Sequence, residues 1–149
     1  MGCVRGGLGV VVGYGAMVVL IFSSLLGAYL ALGTEGAFKE GSFEVSTVWN
    51  VMSLVIGFVV ALVGGWVCTK IAPSKGALTA LILVVFILGA ASIATAVMAP
   101  DPGPRDEELA SMEAMMQAVT PVWVAVANLV IGVVGAWLGG KGNVKSNPA

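Results

Sequence analysis

The sequence predicts an all-α integral membrane protein, built as a bundle of four transmembrane helices. Of its 149 residues, 58% are hydrophobic and only 10% are charged, a composition typical of membrane proteins. The charged residues leave four uncharged stretches, at 6–34, 45–69, 76–100 and 114–140. Each is longer than the ~20 residues that cross a bilayer as a helix, and a helix satisfies its own backbone hydrogen bonds in lipid. Because the intervening breaks are short, we expect residues 1–149 to form a single domain.

Helix 1 is predicted over about 8–32, where Gly33 provides a glycine stop. The stretch follows a single cation, Arg5, and lacks an A-x-A cleavage site. It is also longer than the apolar region of a signal peptide. We therefore expect a retained membrane span.

Helices 2 and 3 are predicted over about 47–69 and 76–99. Ser46 or Thr47 can cap the start of helix 2, because a hydroxyl there accepts a hydrogen bond from a free backbone N–H. Pro73 separates the two helices, since proline cannot continue a helix. Helix 3 ends before the proline at position 100 for the same reason.

Helix 4 is predicted over about 121–140, with Pro121 at its first position. A short amphipathic helix is predicted before it, over about 105–119, lying along the outer membrane surface. Met112, Met115 and Met116 in this segment form a candidate Cu(I) site, because thioethers select soft metals. The alternative is that these methionines are only the apolar face of the surface helix.

The signs of the charges predict how the chain is oriented. All eight acids lie in the first and third breaks, whereas five cations lie at the chain ends and in the second break: Arg5, Lys70, Lys75, Lys141 and Lys145. Cations favour the cytoplasmic side. We therefore expect a multi-pass protein of the inner (plasma) membrane with both termini in the cytoplasm.

Helices 2 and 4 resemble each other in sequence. At an offset of 75 residues, eight of the twelve positions of 54–65 are identical to those of 129–140. The match predicts a 2+2 parallel repeat of helical hairpins, related by an axis along the membrane normal. Chance similarity between apolar helices is the alternative.

Small residues recur at intervals of four along the helices, which lets backbones approach closely. We expect two such stripes to pack helices together: Gly57, Ala61 and Gly65 on helix 2, and Gly132, Ala136 and Gly140 on helix 4. Helix 1 adds Gly9 and Gly13, then Ser23, Gly27 and Ala31, and helix 3 adds Ala91, Thr95 and Ala99. The stripes hold the bundle together, or one of them faces another chain.

Four polar residues, Ser24, Ser53, Ser92 and Asn128, lie about six to eight residues from the outer helix ends and are predicted to share one layer. A buried amide needs hydrogen-bonding partners in hydrocarbon. The layer predicts interhelical hydrogen bonds, or a shallow polar cavity open to the outside.

Several classes of function are disfavoured. The chain has no histidine, so haem and zinc chemistry is not expected, and Cys3 and Cys68 are too far apart for a C-x-x-C motif. Ion-coupled transport usually needs an ionisable group within the membrane. The small multidrug-resistance exporters carry such a glutamate in their first helix, and this chain has none there. No cofactor or nucleic acid is predicted.

The sequence therefore predicts a non-enzymatic membrane protein surrounded by the lipid bilayer. We expect an accessory or assembly subunit of a membrane complex, or a small homo-oligomer, packing through small-residue helix faces. A channel or facilitator for a small neutral solute and an outer-face metal or ligand binder are the alternatives.

Overall fold

The computed structural model of the protein describes residues 2–99 and 118–144, with four long helices. These are α1 (Gly2–Ala37), α2 (Thr47–Ile71), α3 (Lys75–Met98) and α4 (Val122–Lys141). All four are long and apolar enough to cross a membrane. The predicted all-helical fold is therefore confirmed for the described residues, and it is compatible with a four-helix membrane bundle. The predicted surface helix over 105–119, with Met112, Met115 and Met116, lies outside the described residues except for its last two positions.

The helices begin and end close to the predicted boundaries, with one exception. Ser46 caps α2 by accepting a hydrogen bond from the backbone N–H of Trp49, and α2 ends two residues before Pro73. The exception is α1, which runs on past Gly33. This glycine has a φ of 68°, a left-handed conformation that glycine adopts without steric cost, and the helix resumes after it. Gly33 therefore interrupts α1 where the sequence predicts a stop, and a short helical segment follows it up to Ala37.

In the bundle, helices that follow each other in the chain are antiparallel, and two contacting pairs are parallel: α2 with α4, and α1 with α3. α1 packs against α2 and α3 against α4, while α2 and α4 make the largest interface and run in the same direction. α1 also touches α3, so the neighbours follow the order α1, α2, α4, α3 around the bundle. Within the described residues, α1 and α4 do not touch. All described cations except Lys39 lie at one end, here called the basic end; the described acids lie at the other, the acidic end.

At the acidic end, the segment between α1 and α2 pairs with itself and with the segment before α4. Phe38 pairs with Val45, and Glu44 pairs with Val119, through isolated β-bridges. Beneath them Tyr29 packs edge-to-face against both Phe38 and Trp49. The result is an aromatic cap that ties α1, α2 and the segment before α4 together.

The buried core of the transmembrane part lies toward the basic end. Cys68, Leu81 and Ala136 are fully buried there and bring α2, α3 and α4 together. The Sγ of Cys68 donates a long hydrogen bond to the carbonyl of Ala77. Toward the acidic end most of α3 is exposed, as expected for a helix that faces lipid.

Candidate functional site

α2 and α4 approach each other at glycines, where backbone meets backbone. A β-carbon at Gly65 would fall within 3.0 Å of the carbonyl oxygen of Ala136, and one at Gly139 would fall equally close to that of Leu62. Real β-carbons essentially never come this close to another atom. Glycine is therefore required at both positions if the two helices are to keep this separation.

The predicted stripe of α2 faces α4 along its whole length. Above Gly65, a β-carbon at Gly135 would lie 2.8 Å from the β-carbon of Ala61. Higher still, a β-carbon at Gly57 would lie 3.2 Å from Oδ1 of Asn128. The stripe thus forms the parallel helix contact at the centre of the bundle.

The corresponding stripe of α4 contacts α3 as well as α2. Gly132 lies against Val85 of α3, and Gly140 lies against Leu78 of α3. Ala136, between them, is fully buried in the core at the basic end. The α4 stripe therefore lies between two helices: Gly132 and Gly140 contact α3, while Ala136 meets Gly65 of α2 and Gly140 also approaches Thr69 of α2.

α1 packs on α2 through another set of small residues. A β-carbon at Gly9 would lie 2.8 Å from the β-carbon of Ala72, and one at Gly13 would lie 2.8 Å from that of Cys68. Gly64 completes the surface beneath Met17 of α1. Gly9 and Gly13 were recognised in the sequence as small residues, but their partners on α2 were not. The spacing of four between Gly64, Cys68 and Ala72 is the sequence signal for those partners.

The aligned glycines of the predicted repeat do not occupy equivalent places. Gly64 contacts α1, whereas its counterpart Gly139 contacts α2. Gly65 contacts α4, and its counterpart Gly140 lies against both Leu78 of α3 and Thr69 of α2. The parallel direction of α2 and α4 agrees with a repeat. The contacts of Gly64 and Gly139, however, are not related by a twofold axis.

Two of the predicted small-residue stripes lie on the surface. On α1, Ser23, Gly27 and Ala31 are all exposed, and a β-carbon at Gly27 would meet nothing within 4 Å. On α3, the exposed stripe consists of Ala91, Thr95 and Ala99. Both stripes belong to the halves of the helices nearer the acidic end.

The four residues of the predicted polar layer are not joined to one another in the described part of the chain. Ser53 donates a hydrogen bond to the carbonyl of Asn50 at 2.9 Å, and exposed Ser92 donates one to the carbonyl of Leu88 at 3.0 Å. Both bonds lie within one helix. Ser24 and Asn128 are half-buried; no hydrogen bond links either side chain to another described residue. The expected interhelical bonds are absent among these residues.

Asn50 is a buried polar residue that the sequence analysis did not single out. Its side chain is only 4% exposed, and its Oδ1 accepts no hydrogen bond from a described residue. An unpaired buried acceptor costs about 1–3 kcal/mol. An amide in the first turn of a membrane helix was the sequence signal for it.

Trp–Lys pairs mark the basic end. The ammonium of Lys70 lies 5.5 Å from the ring centre of Trp66, and that of Lys141 lies 4.7 Å from the ring centre of Trp137. Tryptophan and lysine both favour the interface between lipid and water. The two pairs therefore indicate the level of the headgroups at this end.

A groove between α3 and α4 opens beside one of these pairs. It has a volume of about 370 Å³, and its walls include Lys75, Leu78, Trp137 and Lys141. In the sequence, these lysines indicated only the orientation of the chain, and nothing in it placed them beside Trp137. No protein-family model, curated protein or solved structure matches this chain.

Proposed function

We propose that this protein is a non-enzymatic subunit that assembles with other membrane proteins, or with copies of itself, through the exposed stripes of α1 and α3. One contrast carries the proposal. The stripes on α2 and α4 and the glycines at the start of α1 are used inside the bundle, whereas the stripe around Gly27 and the stripe around Thr95 are exposed.

The physical argument is that helices in lipid do not associate by the hydrophobic effect, because lipid chains are as apolar as leucine. Association depends on close packing, which small side chains allow. At Gly65 and Gly139 this protein already uses glycine to bring two backbones together. Gly27 offers a second helix the same close approach.

Hydroxyl groups on the exposed stripes support this use. Ser23 donates to the carbonyl of Val19 at 2.8 Å, and Thr95 donates to that of Ser92 at 2.8 Å. Each hydroxyl therefore has a hydrogen-bond acceptor within its own helix before the subunit assembles. Each oxygen keeps acceptor capacity for a donor on a second helix.

The placement of charge supports a role without catalysis. In the described part of the chain, the ionisable Asp, Glu, Lys and Arg side chains lie at the bundle ends, and one pair of them, Lys39 and Glu44, forms an ion pair. No group of three or more potential metal ligands occurs there. Assembly through helix packing requires neither an ionisable group within the membrane nor a bound metal.

We further propose that both termini lie in the cytoplasm and that the α1–α2 and α3–α4 hairpins arose by duplication. The clustering of Arg5, Lys70, Lys75 and Lys141 at one end supports the orientation. The parallel course of α2 and α4 supports the duplication. After it, α4 rotated relative to α2, so that equivalent glycines came to face different helices.

The test is purification in mild detergent, followed by mass spectrometry of the proteins that accompany the chain. Gly27→Leu and Thr95→Leu, separately and together, should lower the amount of partner per chain about fivefold or more, or convert a homo-oligomer to monomer. Gly15→Leu is the control, because Gly15 is exposed with nothing within 4 Å and lies ~120° around α1 from Gly27. A full complement of partner with the double variant would refute the proposal.

A further inference from the structure

The groove between α3 and α4 at the basic end combines two chemistries. Its volume is about 370 Å³, within the range of small-molecule pockets. Leu78, Ile82 and the indole of Trp137 make the walls mainly apolar, while Thr79 adds a hydroxyl. Such a surface accommodates a hydrocarbon chain along its length.

Positive charge is concentrated at the rim of the groove. Lys75 and Lys141 both line it, and none of the described residues that line it is acidic. The ring of Trp137 lies beneath the ammonium of Lys141, at 4.7 Å, and favours its position there. Lys75 is the first residue of α3, so the positive end of the helix dipole adds to the charge.

We propose that this groove binds one anionic phospholipid from the surrounding bilayer. Its phosphate lies between Lys75 and Lys141, and one of its acyl chains lies along Leu78, Ile82 and Trp137. Charge complementarity selects the anionic headgroup. The apolar walls select a lipid over a free anion, because a free anion leaves them unfilled.

The site also lies at the depth where headgroups are found. Trp66 with Lys70, and Trp137 with Lys141, place the lipid–water interface at this end of the bundle. A lipid of the adjacent leaflet therefore reaches the groove without leaving its layer. Of these two lysines, Lys141 lines the groove and Lys70 does not.

The test is lipid counting by native mass spectrometry, after equilibration in micelles that contain phosphatidylcholine and phosphatidylglycerol. The wild type should retain one phosphatidylglycerol in preference to phosphatidylcholine. The double variant Lys75→Gln/Lys141→Gln should lose roughly 30-fold in this preference, because each lysine near anionic lipid contributes a factor of about five. Thr79→Trp should also lose the lipid, because its indole occupies the groove while both charges remain.

Lys70→Gln is the matched control, because Lys70 also lies over a tryptophan at the basic end but does not line the groove. It should keep the wild-type preference. Three results would overturn the proposal: retention of phosphatidylglycerol by the double variant or by Thr79→Trp, an equal loss with Lys70→Gln, or displacement of the lipid by inorganic phosphate. The last would indicate a phosphate site. All four substituted side chains are exposed, so the variants should fold, and unchanged thermal unfolding checks this.

Discussion

Glycine acts in two ways along this chain, according to what surrounds it. At Gly65 and Gly139 a side chain would collide with the backbone of the neighbouring helix, whereas at Gly27 it would meet nothing within 4 Å. The sequence cannot separate these cases, because each of the three glycines has another small residue four positions away. The distinction depends on which face of each helix points inward.

Gly139→Ala should destabilise the bundle by about 1–3 kcal/mol or more. The added methyl group would collide with the carbonyl of Leu62, and a helix backbone cannot move aside as a flexible side chain can. Gly27→Ala is the matched control and should stay within about 0.5 kcal/mol of the wild type. Thermal unfolding in detergent, followed by circular dichroism, measures both. Equal stability of the two variants would contradict the packing of α2 against α4.

Single residues show how far the sequence could predict the site. The stripe Gly57, Ala61 and Gly65 was predicted from spacing alone, since a period of four places small residues on one face. Its neighbour could not be predicted, because that depends on how far each helix is rotated about its axis. The groove beside Lys141 was missed for the same reason: it is formed by two helices whose contact has no sequence signal.

The residues at which each helix begins and ends are set by local chemistry. Ser46 and Ser74 each cap a helix through the side-chain oxygen, as their residue type favours. Gly33 interrupts α1 as predicted, because glycine can adopt a positive φ without steric cost. The short helical segment after it was not predicted, because the sequence does not show whether a helix resumes beyond such a glycine.

Ser46→Ala should destabilise the protein more than Ser74→Ala. Each change removes a cap worth about 1 kcal/mol. The Ser46 hydroxyl also donates a 2.6 Å hydrogen bond to the carbonyl of Gly36, so it ties the end of α1 to the start of α2. We expect a total of roughly 1.5–3 kcal/mol for Ser46→Ala. The two variants can be compared by thermal unfolding; a larger loss for Ser74→Ala would show that the link between α1 and α2 adds nothing.

For the whole molecule, the distribution of charge predicts the orientation in the membrane. In the proposed arrangement the four helices cross the membrane, which puts the start of α1 and the end of α4 on the same side, and the cations at this basic end favour the cytoplasm. A green fluorescent protein fused to the C-terminus should fluoresce, and an alkaline phosphatase fused there should be inactive. An active phosphatase would place the basic end outside and contradict the proposed orientation.

The central claim is that the exposed stripes of α1 and α3 contact another protein. The most direct measurement is photo-crosslinking in native membranes, with a photoreactive residue placed at Gly27 or at Thr95. Phe22 and Phe86 are matched control positions, because both are exposed and lie ~140° and ~180° around their helices from the two stripes. We predict a discrete protein adduct from Gly27 or Thr95, and lipid adducts alone from the controls. Lipid adducts alone at all four positions would contradict the claim.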